Sequence, residues 1–142
     1  MEKKSLSHLK TKNSTVSNGI LNGMKVKAVG SHLIAEFIDC GFGVLNDEKR
    51  IKEAMLNASA AAGFTVLDVS VKKFDPQGVT AILLLSESHF SIHTWPELGY
   101  AAVDMFTCSK TCDPNEAFKV LVNYLKPKRY STKEILRGPN AV

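Results

Sequence analysis

The densest run of side chains that could do chemistry lies between Ser86 and Glu97, in the sequence SESHFSIHTWPE. Hydroxyl, carboxylate and imidazole groups follow one another there, directly after the apolar run VTAILLL. A serine beside a histidine can support nucleophilic catalysis, because imidazole accepts the hydroxyl proton. The G-x-S-x-G motif of the α/β-hydrolases is absent. The residue types alone indicate only a serine, a histidine and a thiol that could be functional.

Two histidines of this run, His89 and His93, are four positions apart, which on a helix is the spacing of two zinc ligands. The residues between and around them favour a strand, on which four residues span about 13 Å. That distance is too long for both rings to bind one ion. Cys108 and Cys112 have the same spacing and the same difficulty. We therefore predict no metal site.

A strand at this position would have one polar and aromatic face, because alternate side chains point to opposite sides of a sheet. The residues on that face are His89, Ser91, His93 and Trp95. The opposite face would be formed by Phe90, Ile92 and Thr94. A polar-aromatic face on an otherwise apolar sheet indicates a pocket. The role of His89 in it stays open.

Two amphipathic helices are predicted to support this segment. The first has Asn46 as its N-cap, acidic residues in its first turn, apolar residues at helical spacing and Gly63 as its stop. The second begins at the capping sequence Asp113-Pro114-Asn115-Glu116 and ends before Pro127.

The remaining periodic segments are predicted strands. They are Lys25–Phe37, Phe64–Phe74, Val79–Leu85, His89–Trp95, Tyr100–Thr107 and Lys128–Ile135. The segment Val79–Leu85 is almost entirely apolar, which is typical of a strand buried on both faces. The order of strands and helices predicts an α+β fold, a two-layer sandwich with the helices on one face of an antiparallel sheet.

The charge is concentrated at the N-terminus. The net charge is +4, and residues 1–25 hold five lysines against one acid, so the rest of the chain balances thirteen basic with thirteen acidic side chains. Residues 1–23 are polar and aperiodic, and we expect a disordered leader there, followed by one domain over residues 24–142. The neutral body argues against a nucleic-acid partner.

Membrane insertion and secretion are not indicated either. No apolar run approaches 18 residues, and no apolar h-region follows the basic N-terminus. Cys40, Cys108 and Cys112 are too few, and odd in number, for a disulfide framework, so we expect free thiols in a reducing cytoplasm.

Three segments strongly resemble the prokaryotic S-adenosylmethionine decarboxylases. They are VGSHLIAEFIDC, KKFDPQGVTAILLLSES and LLSESHFSIHTWPELGYAAVDMFTC, and the resemblance extends over about Met24 to Gly138. It implies a sandwich fold that forms a homo-oligomer, expected to be a dimer through its sheet, with active sites at the subunit interface. One departure is Ser109, where relatives commonly have glycine after the TC pair.

The resemblance implies that the chain is a proenzyme that cuts itself between Glu87 and Ser88. The Ser88 hydroxyl would attack the Glu87 carbonyl, and elimination and hydrolysis would leave a pyruvoyl group at the head of residues 88–142, with residues 1–87 as the second chain. The processing base of the family falls on His93. A hydroxyl that assists processing falls on Thr80, where relatives often have serine.

The resemblance also implies the reaction of the mature enzyme. The pyruvoyl ketone would form a Schiff base with the amine of S-adenosylmethionine, and the decarboxylated product would be the aminopropyl donor for spermidine and other polyamines. The proton donor of the family falls on Cys108. Adenine stacking falls on Phe74 and Trp95, and an acid associated with the nucleoside falls on Glu97.

Two other functions remain open at this stage. The same machinery could decarboxylate arginine or ornithine, since Ser88, His93 and Cys108 do not discriminate among substrates: their chemistry acts only on the amino-acid end. The aromatic pair and Glu97 favour the nucleoside substrate. A non-catalytic regulatory subunit is a more distant alternative, and it would be expected to have lost Ser88.

Overall fold

The chain is described by a computed structural model over residues 20–21, 24–25 and 28–139. Its strands are β1 (Ile20–Leu21), β2 (Met24–Lys25), β3 (Gly30–Ile38), β4 (Val66–Lys73), β5 (Val79–Leu85), β6 (Ser88–Trp95), β7 (Tyr100–Thr107) and β8 (Arg129–Arg137). Its helices are α1 (Phe42–Leu45), α2 (Glu48–Ala62) and α3 (Pro114–Leu125), with a 3-10 turn at Pro96–Leu98.

Six of these strands form one antiparallel sheet in the order β4-β5-β6-β7-β3-β8. The strands β4 to β7 are consecutive hairpins, and β3 is inserted between β7 and β8. Strand β6, which carries most of the candidate site residues, is therefore hydrogen-bonded on both sides, to β5 and to β7. A strand paired on both sides holds its side chains in a fixed register.

Helices α2 and α3 pack together on one face of the sheet, and the core lies beneath them. Alternate residues of each central strand point into that core. On β5, β6 and β7 the core-facing residues include Val79, Ala81, Leu83, Phe90, Ile92, Val103 and Met105. The predicted α+β sandwich with helices on one face of an antiparallel sheet is thus confirmed.

Helix α2 begins one residue later than the sequence suggested. Its N-cap is Asp47, whose carboxylate accepts hydrogen bonds from the amides of Lys49 and Arg50. Asn46, the expected cap, instead accepts hydrogen bonds from Lys73 Nζ at 2.6 Å and from the Gly78 amide at 3.0 Å. The side chain of Asn46 therefore joins the start of α2 to the β4–β5 turn.

The second face of the sheet has no helices on it in the described part of the chain. The expectation that Val79–Leu85 is buried on both faces is wrong for the single chain, because burial alternates along β5. Ile82 is 44% exposed and Leu84 is 53% exposed. We call this side the open face. It also carries the alternate residues of β6 and β7.

The predicted strand boundaries differ from the observed ones mainly at their N-terminal ends. The first long strand begins at Gly30 rather than Lys25, and a β-bulge near Val66 interrupts the start of β4. The leader expected over residues 1–23 lies outside the described residues apart from Ile20–Leu21, which pair with Met24–Lys25. No helix in the described ranges is long and apolar enough to span a membrane.

Candidate active site

The Glu87–Ser88 bond lies in the two-residue turn that joins β5 to β6. Leu85 pairs with Ser88 across this hairpin, which leaves Ser86 and Glu87 as the turn. The backbone of Thr65 holds the turn from outside. Its carbonyl accepts a hydrogen bond from the Ser86 amide at 2.9 Å, and its amide donates to the Glu87 carboxylate at 3.0 Å.

The hydrogen bonds to Glu87 outweigh the effect of desolvation on its charge. Partial burial raises the pKa of the Glu87 carboxyl, but the bonds from Thr65 lower it more, and the net shift is downward. The side chain is therefore ionised at neutral pH and remains anchored to Thr65.

Cys108 lies beside the same bond because β6 and β7 are paired with Ser88 opposite Thr107. The backbone amide of Cys108 donates a hydrogen bond of 3.0 Å to the Glu87 carbonyl oxygen. An amide in this position polarises the carbonyl and is placed to stabilise negative charge that develops on its oxygen.

Ser88 has a backbone conformation that residues with a side chain rarely adopt, with φ at 148°. Its hydroxyl oxygen lies 3.2 Å from Nδ1 of His89. Backbone strain of this kind costs about 1–3 kcal/mol and is often found at functional sites. A strained serine therefore directly follows a carbonyl that accepts a hydrogen bond from Cys108.

A second group of candidate residues lies at the opposite end of β6. Thr80 on β5 faces His93 on β6, and its hydroxyl oxygen lies 2.9 Å from His93 Nδ1. The His93 ring is 6.4 Å from Trp95, whose indole stacks on Tyr100 with ring centroids 5.2 Å apart. Burial and the neighbouring Glu36 carboxylate raise the pKa of Tyr100 to about 12, so the ring stays neutral.

Phe74 and Glu97 lie close to this second end. The amide of Phe74 donates to the Gly78 carbonyl across the β4–β5 turn, and Gly78 approaches the Thr94 carbonyl closely. Glu97 is exposed in the 3-10 turn that follows Trp95. The Phe74 ring is 47% exposed, so an apolar aromatic surface is available to a flat ligand.

The two groups are well separated within one chain. The first, the cleavage end, consists of Glu87, Ser88, His89 and Cys108. The second, the histidine–aromatic end, consists of Phe74, Thr80, His93, Trp95 and Glu97. Ser88 and His93 are five residues apart on a single strand, which corresponds to about 16 Å. His93 therefore cannot contact Ser88 of its own chain.

The three cysteines differ in exposure. Cys108 is exposed, whereas Cys40 is buried and Cys112 is partly buried, with its thiol 3.1 Å from the Gly63 carbonyl. Burial, and to a smaller degree Asp39, raises the pKa of Cys40 to about 11. Cys108 is accordingly the thiol best placed to meet a ligand.

Sequence reasoning missed two contributors to the cleavage end. One is Thr65, which acts only through its backbone and so leaves no signal in residue type. The other is His89, whose role was left open although it directly follows Ser88. The sequence SH at the end of an apolar strand was the available signal, but only the structure shows the imidazole turned toward the hydroxyl.

Comparison with known proteins identifies the class to which this fold and site belong. Residues 31–138 match the family model described as S-adenosylmethionine decarboxylase. The chain is 50% identical to the S-adenosylmethionine decarboxylase proenzyme of Carboxydothermus hydrogenoformans over 113 residues, which cover 80% of this chain and 89% of that protein. The Moorella thermoacetica proenzyme is 45% identical over 113 residues, covering 80% and 90%.

A solved structure has the same fold. The crystal structure of the adenosylmethionine decarboxylase from Aquifex aeolicus superimposes with a TM-score of 0.75 at 33% identity, covering 80% of this chain and 93% of that one. The chain belongs to the S-adenosylmethionine decarboxylase family.

Proposed function

We propose that the chain performs the S-adenosylmethionine decarboxylation of its family by means of a pyruvoyl group made from its own Ser88. The observation that carries this proposal is the geometry of the cleavage end. A strained serine follows a carbonyl that already accepts a hydrogen bond from the backbone amide of Cys108, and Cys108 is an exposed free cysteine. These features fit a residue that is converted rather than one that serves only to turn the chain.

Self-cleavage would begin with attack of the Ser88 hydroxyl oxygen on the Glu87 carbonyl carbon. The amide of Cys108 is placed to hold the oxygen that becomes negative. The carbon–nitrogen bond then breaks, the nitrogen of Ser88 takes up a proton, and an ester joins the two residues. Removal of the Ser88 α-proton by His93 expels the Glu87 carboxylate and leaves residue 88 as dehydroalanine. Its imine tautomer is hydrolysed by water, which releases the Ser88 nitrogen as ammonia and leaves the pyruvoyl group at the head of chain 88–142, with 1–87 as the second chain.

A second copy of the chain must supply that histidine, because His93 lies about 16 Å along the strand from Ser88 of its own chain. Two open faces related by a two-fold axis across the strands would run antiparallel. The cleavage end of each chain would then lie over the histidine–aromatic end of the other. Ile82 and Leu84 would be buried in this dimer, which accounts for an apolar strand with one exposed side.

The same arrangement would complete the substrate site. A pyruvoyl group supplies an electrophilic carbonyl that draws electrons from the substrate as carbon dioxide leaves. Cys108 is an exposed free cysteine whose backbone amide contacts the Glu87 carbonyl, and its thiol would donate the proton to the substrate carbon. From the partner, the rings of Phe74 and Trp95 would stack on adenine, and Glu97 would accept hydrogen bonds from ribose hydroxyls.

The alternatives are less well supported. Arginine and ornithine have no flat ring for Phe74 and Trp95 to stack on, and both amino acids lack the ribose that Glu97 would bind. A regulatory subunit has no use for a strained Ser88 beside a polarised carbonyl. We place the enzyme in the cytoplasm, where its exposed thiol stays reduced, and propose that its product is the aminopropyl donor for spermidine synthesis.

Intact mass and substrate turnover test this function together. The purified protein should contain two chains that end at Glu87 and begin with a blocked residue 88, and it should release carbon dioxide from S-adenosylmethionine but not from arginine or ornithine. Ser88→Ala should remain a single inactive chain. As a matched control on the same strand, Ser91→Ala should split normally. Cleavage of the Ser88→Ala chain at this bond would refute the assignment.

A further inference from the structure

The imidazole of His89 lies within hydrogen-bonding distance of the Ser88 hydroxyl, with Nδ1 3.2 Å from the oxygen. We infer that His89 is the base that accepts the Ser88 hydroxyl proton in the first step of self-cleavage, and that His93 of a second chain acts only in the later elimination. This inference rests on the proposed function and adds a residue to it. It divides the two proton transfers between two histidines.

The separation along β6 supports this division. His89 contacts Ser88 within one chain, whereas His93 is five residues further along the strand and hydrogen-bonds Thr80. A general base must lie within hydrogen-bonding reach of the proton that it removes. Among the histidines of the described residues, His89 is the one that meets this condition at the Ser88 hydroxyl of its own chain.

The ring of His89 is held by its neighbours on the open face. It packs against Phe106 with centroids 6.0 Å apart, and its edge meets His32 at 6.4 Å. His32 is itself fixed at both nitrogens, because Nε2 lies 2.9 Å from Asp104 Oδ1 and Nδ1 lies 3.2 Å from an Arg137 nitrogen.

These contacts determine which ring nitrogen of His32 carries the proton. Arg137 can only donate, so Nδ1 of His32 accepts, and the proton of His32 is on Nε2 and faces Asp104. The charged groups on the strands around His89 are thus Asp104 on β7 and Arg137 on β8, which are both engaged with His32. His32 packs beside His89 with both of its own ring nitrogens engaged, by Asp104 and Arg137, and so has no nitrogen free for the Ser88 proton.

The step balances within the chain. The proton of the Ser88 hydroxyl moves to Nδ1 of His89 as the oxygen bonds to the Glu87 carbonyl carbon. When the carbon–nitrogen bond of the tetrahedral intermediate breaks, the same imidazole returns the proton to the Ser88 nitrogen. His89 is left unchanged, and no external reactant is needed. The product is the ester between Glu87 and Ser88.

One consequence is that ester formation needs a single chain, whereas elimination needs two. Blocking elimination should therefore trap the ester, and hydroxylamine detects it because this nucleophile cleaves esters under conditions that leave amides intact. The first experiment compares full-length His93→Gln with the double variant His89→Asn/His93→Gln, each made by cell-free synthesis and treated with hydroxylamine. Asn at position 89 retains a hydrogen-bond acceptor but cannot take the proton.

The His93→Gln chain should be cleaved by hydroxylamine at residue 87, and the double variant should form ester at least about 100-fold more slowly, since general bases contribute roughly that factor or more. Equal sensitivity of the two proteins would overturn the role of His89 and leave the proposed function intact. A wild-type protein that never splits would refute both the role of His89 and the proposed function. If the wild-type chain splits normally but the His93→Gln chain resists hydroxylamine, the ester has not accumulated. That result would also overturn the assignment of ester formation to His89 and elimination to His93.

A second measurement separates a base from a packing residue. In the His93→Gln background, where ester formation is measured without elimination, added imidazole should restore ester formation to His89→Ala. The rate of ester formation by the His93→Gln chain should fall on acidification as the base is protonated, whereas that of His89→Asn/His93→Gln should not. His32→Gln should slow the step only a few fold and keep the pH dependence. A folded His89→Ala protein, judged by its thermal unfolding, that imidazole fails to rescue would assign His89 to packing alone.

Discussion

Ser88 is the residue where backbone geometry and chemistry coincide. Its φ of 148° is maintained by the pairing of β6 with β5 and β7 and by the Thr65 contacts to the turn. Because the strain is about 1–3 kcal/mol, cleavage of the Glu87–Ser88 bond would release it and favour the processed form. In the proposed reaction, Ser88 therefore supplies both the nucleophile, through its hydroxyl, and the strain that cleavage releases, through its backbone conformation.

Two roles are proposed for Cys108, one for its backbone amide and one for its thiol, and a single substitution separates them. Its amide contacts the Glu87 carbonyl and would assist cleavage, while its thiol would protonate the substrate carbon. Cys108→Ala keeps the amide, so the chain should still split. Decarboxylation should fall by about 100-fold or more, because a positioned proton donor contributes at least that much.

Intact mass and carbon dioxide release measure these two outcomes, and Cys112→Ala serves as the control thiol. Protonation at the wrong carbon in Cys108→Ala should also convert the pyruvoyl terminus to alanine during turnover, which the mass of the 88–142 chain reports. Full turnover by Cys108→Ala would move the donor role to another group.

At the level of elements, the histidine–aromatic end depends on a turn that Asn46 holds. The side chain of Asn46 joins α2 to Lys73 and Gly78 on either side of Phe74. Asn46→Ala should lower the free energy of unfolding by about 1–3 kcal/mol, because it leaves part-buried donors unpaired. It should also raise KM for S-adenosylmethionine and leave the cleavage rate unchanged, since the Glu87–Ser88 bond is at the other end of β6.

Chemical denaturation measures the free energy of unfolding, steady-state kinetics measure KM, and the rate of chain splitting measures cleavage. Asn115→Ala is the control variant. Asn115 is exposed, and its side chain contacts only Asp113 in the same helix start. A slower cleavage with an unchanged KM in Asn46→Ala would show that the turn does not position the aromatic residues.

At the level of the whole molecule, the separation of Ser88 from His93 predicts complementation between inactive chains. Ser88→Ala and His93→Gln homodimers should both fail to complete processing. In a mixed dimer, the His93→Gln chain keeps Ser88 and receives a functional His93 from the Ser88→Ala chain. The His93→Gln chain of the mixed dimer should therefore split. One of the two sites in each mixed dimer, or about half of the sites, should become active. Co-expression with two different affinity tags, followed by intact mass, measures this directly.

The control for complementation is the double variant Ser88→Ala/His93→Gln co-expressed with His93→Gln, which offers no functional histidine and should not split. Complete processing of His93→Gln alone would show that the base lies elsewhere. A strictly monomeric wild-type protein that processes at high dilution would contradict the dimer itself.

Removal of residues 1–23 tests the leader hypothesis. Those residues contain four lysines and one glutamate, a net +3, so the net charge should drop from +4 to +1. A chain beginning at Met24 should process and turn over normally, and its weak retention on a polyanion column at low salt should largely disappear. Loss of processing or of dimerisation would show that the segment packs on the body and is not a disordered leader.

The sequence by itself determined the elements and the residue set. Periodicity and turn residues located helices α2 and α3 and all six strands of the main sheet to within five residues, the largest difference being the start of β3, because these signals are local. The motif around Ser88 is by itself enough to indicate the family. The errors were the N-cap, where Asp47 replaced Asn46, and the two-sided burial of β5. Both depend on which groups approach from elsewhere in the chain.

Only the tertiary structure decided which of these residues meet. Strand pairing brings Cys108 to Glu87 and Thr80 to His93 although they are distant in sequence, and strand length separates His93 from Ser88 although they are close in sequence. The orientation of the His89 ring toward the Ser88 hydroxyl is likewise set by packing against Phe106 and His32. Distances in a sheet follow from register and rise per residue, and a one-dimensional sequence does not contain the register.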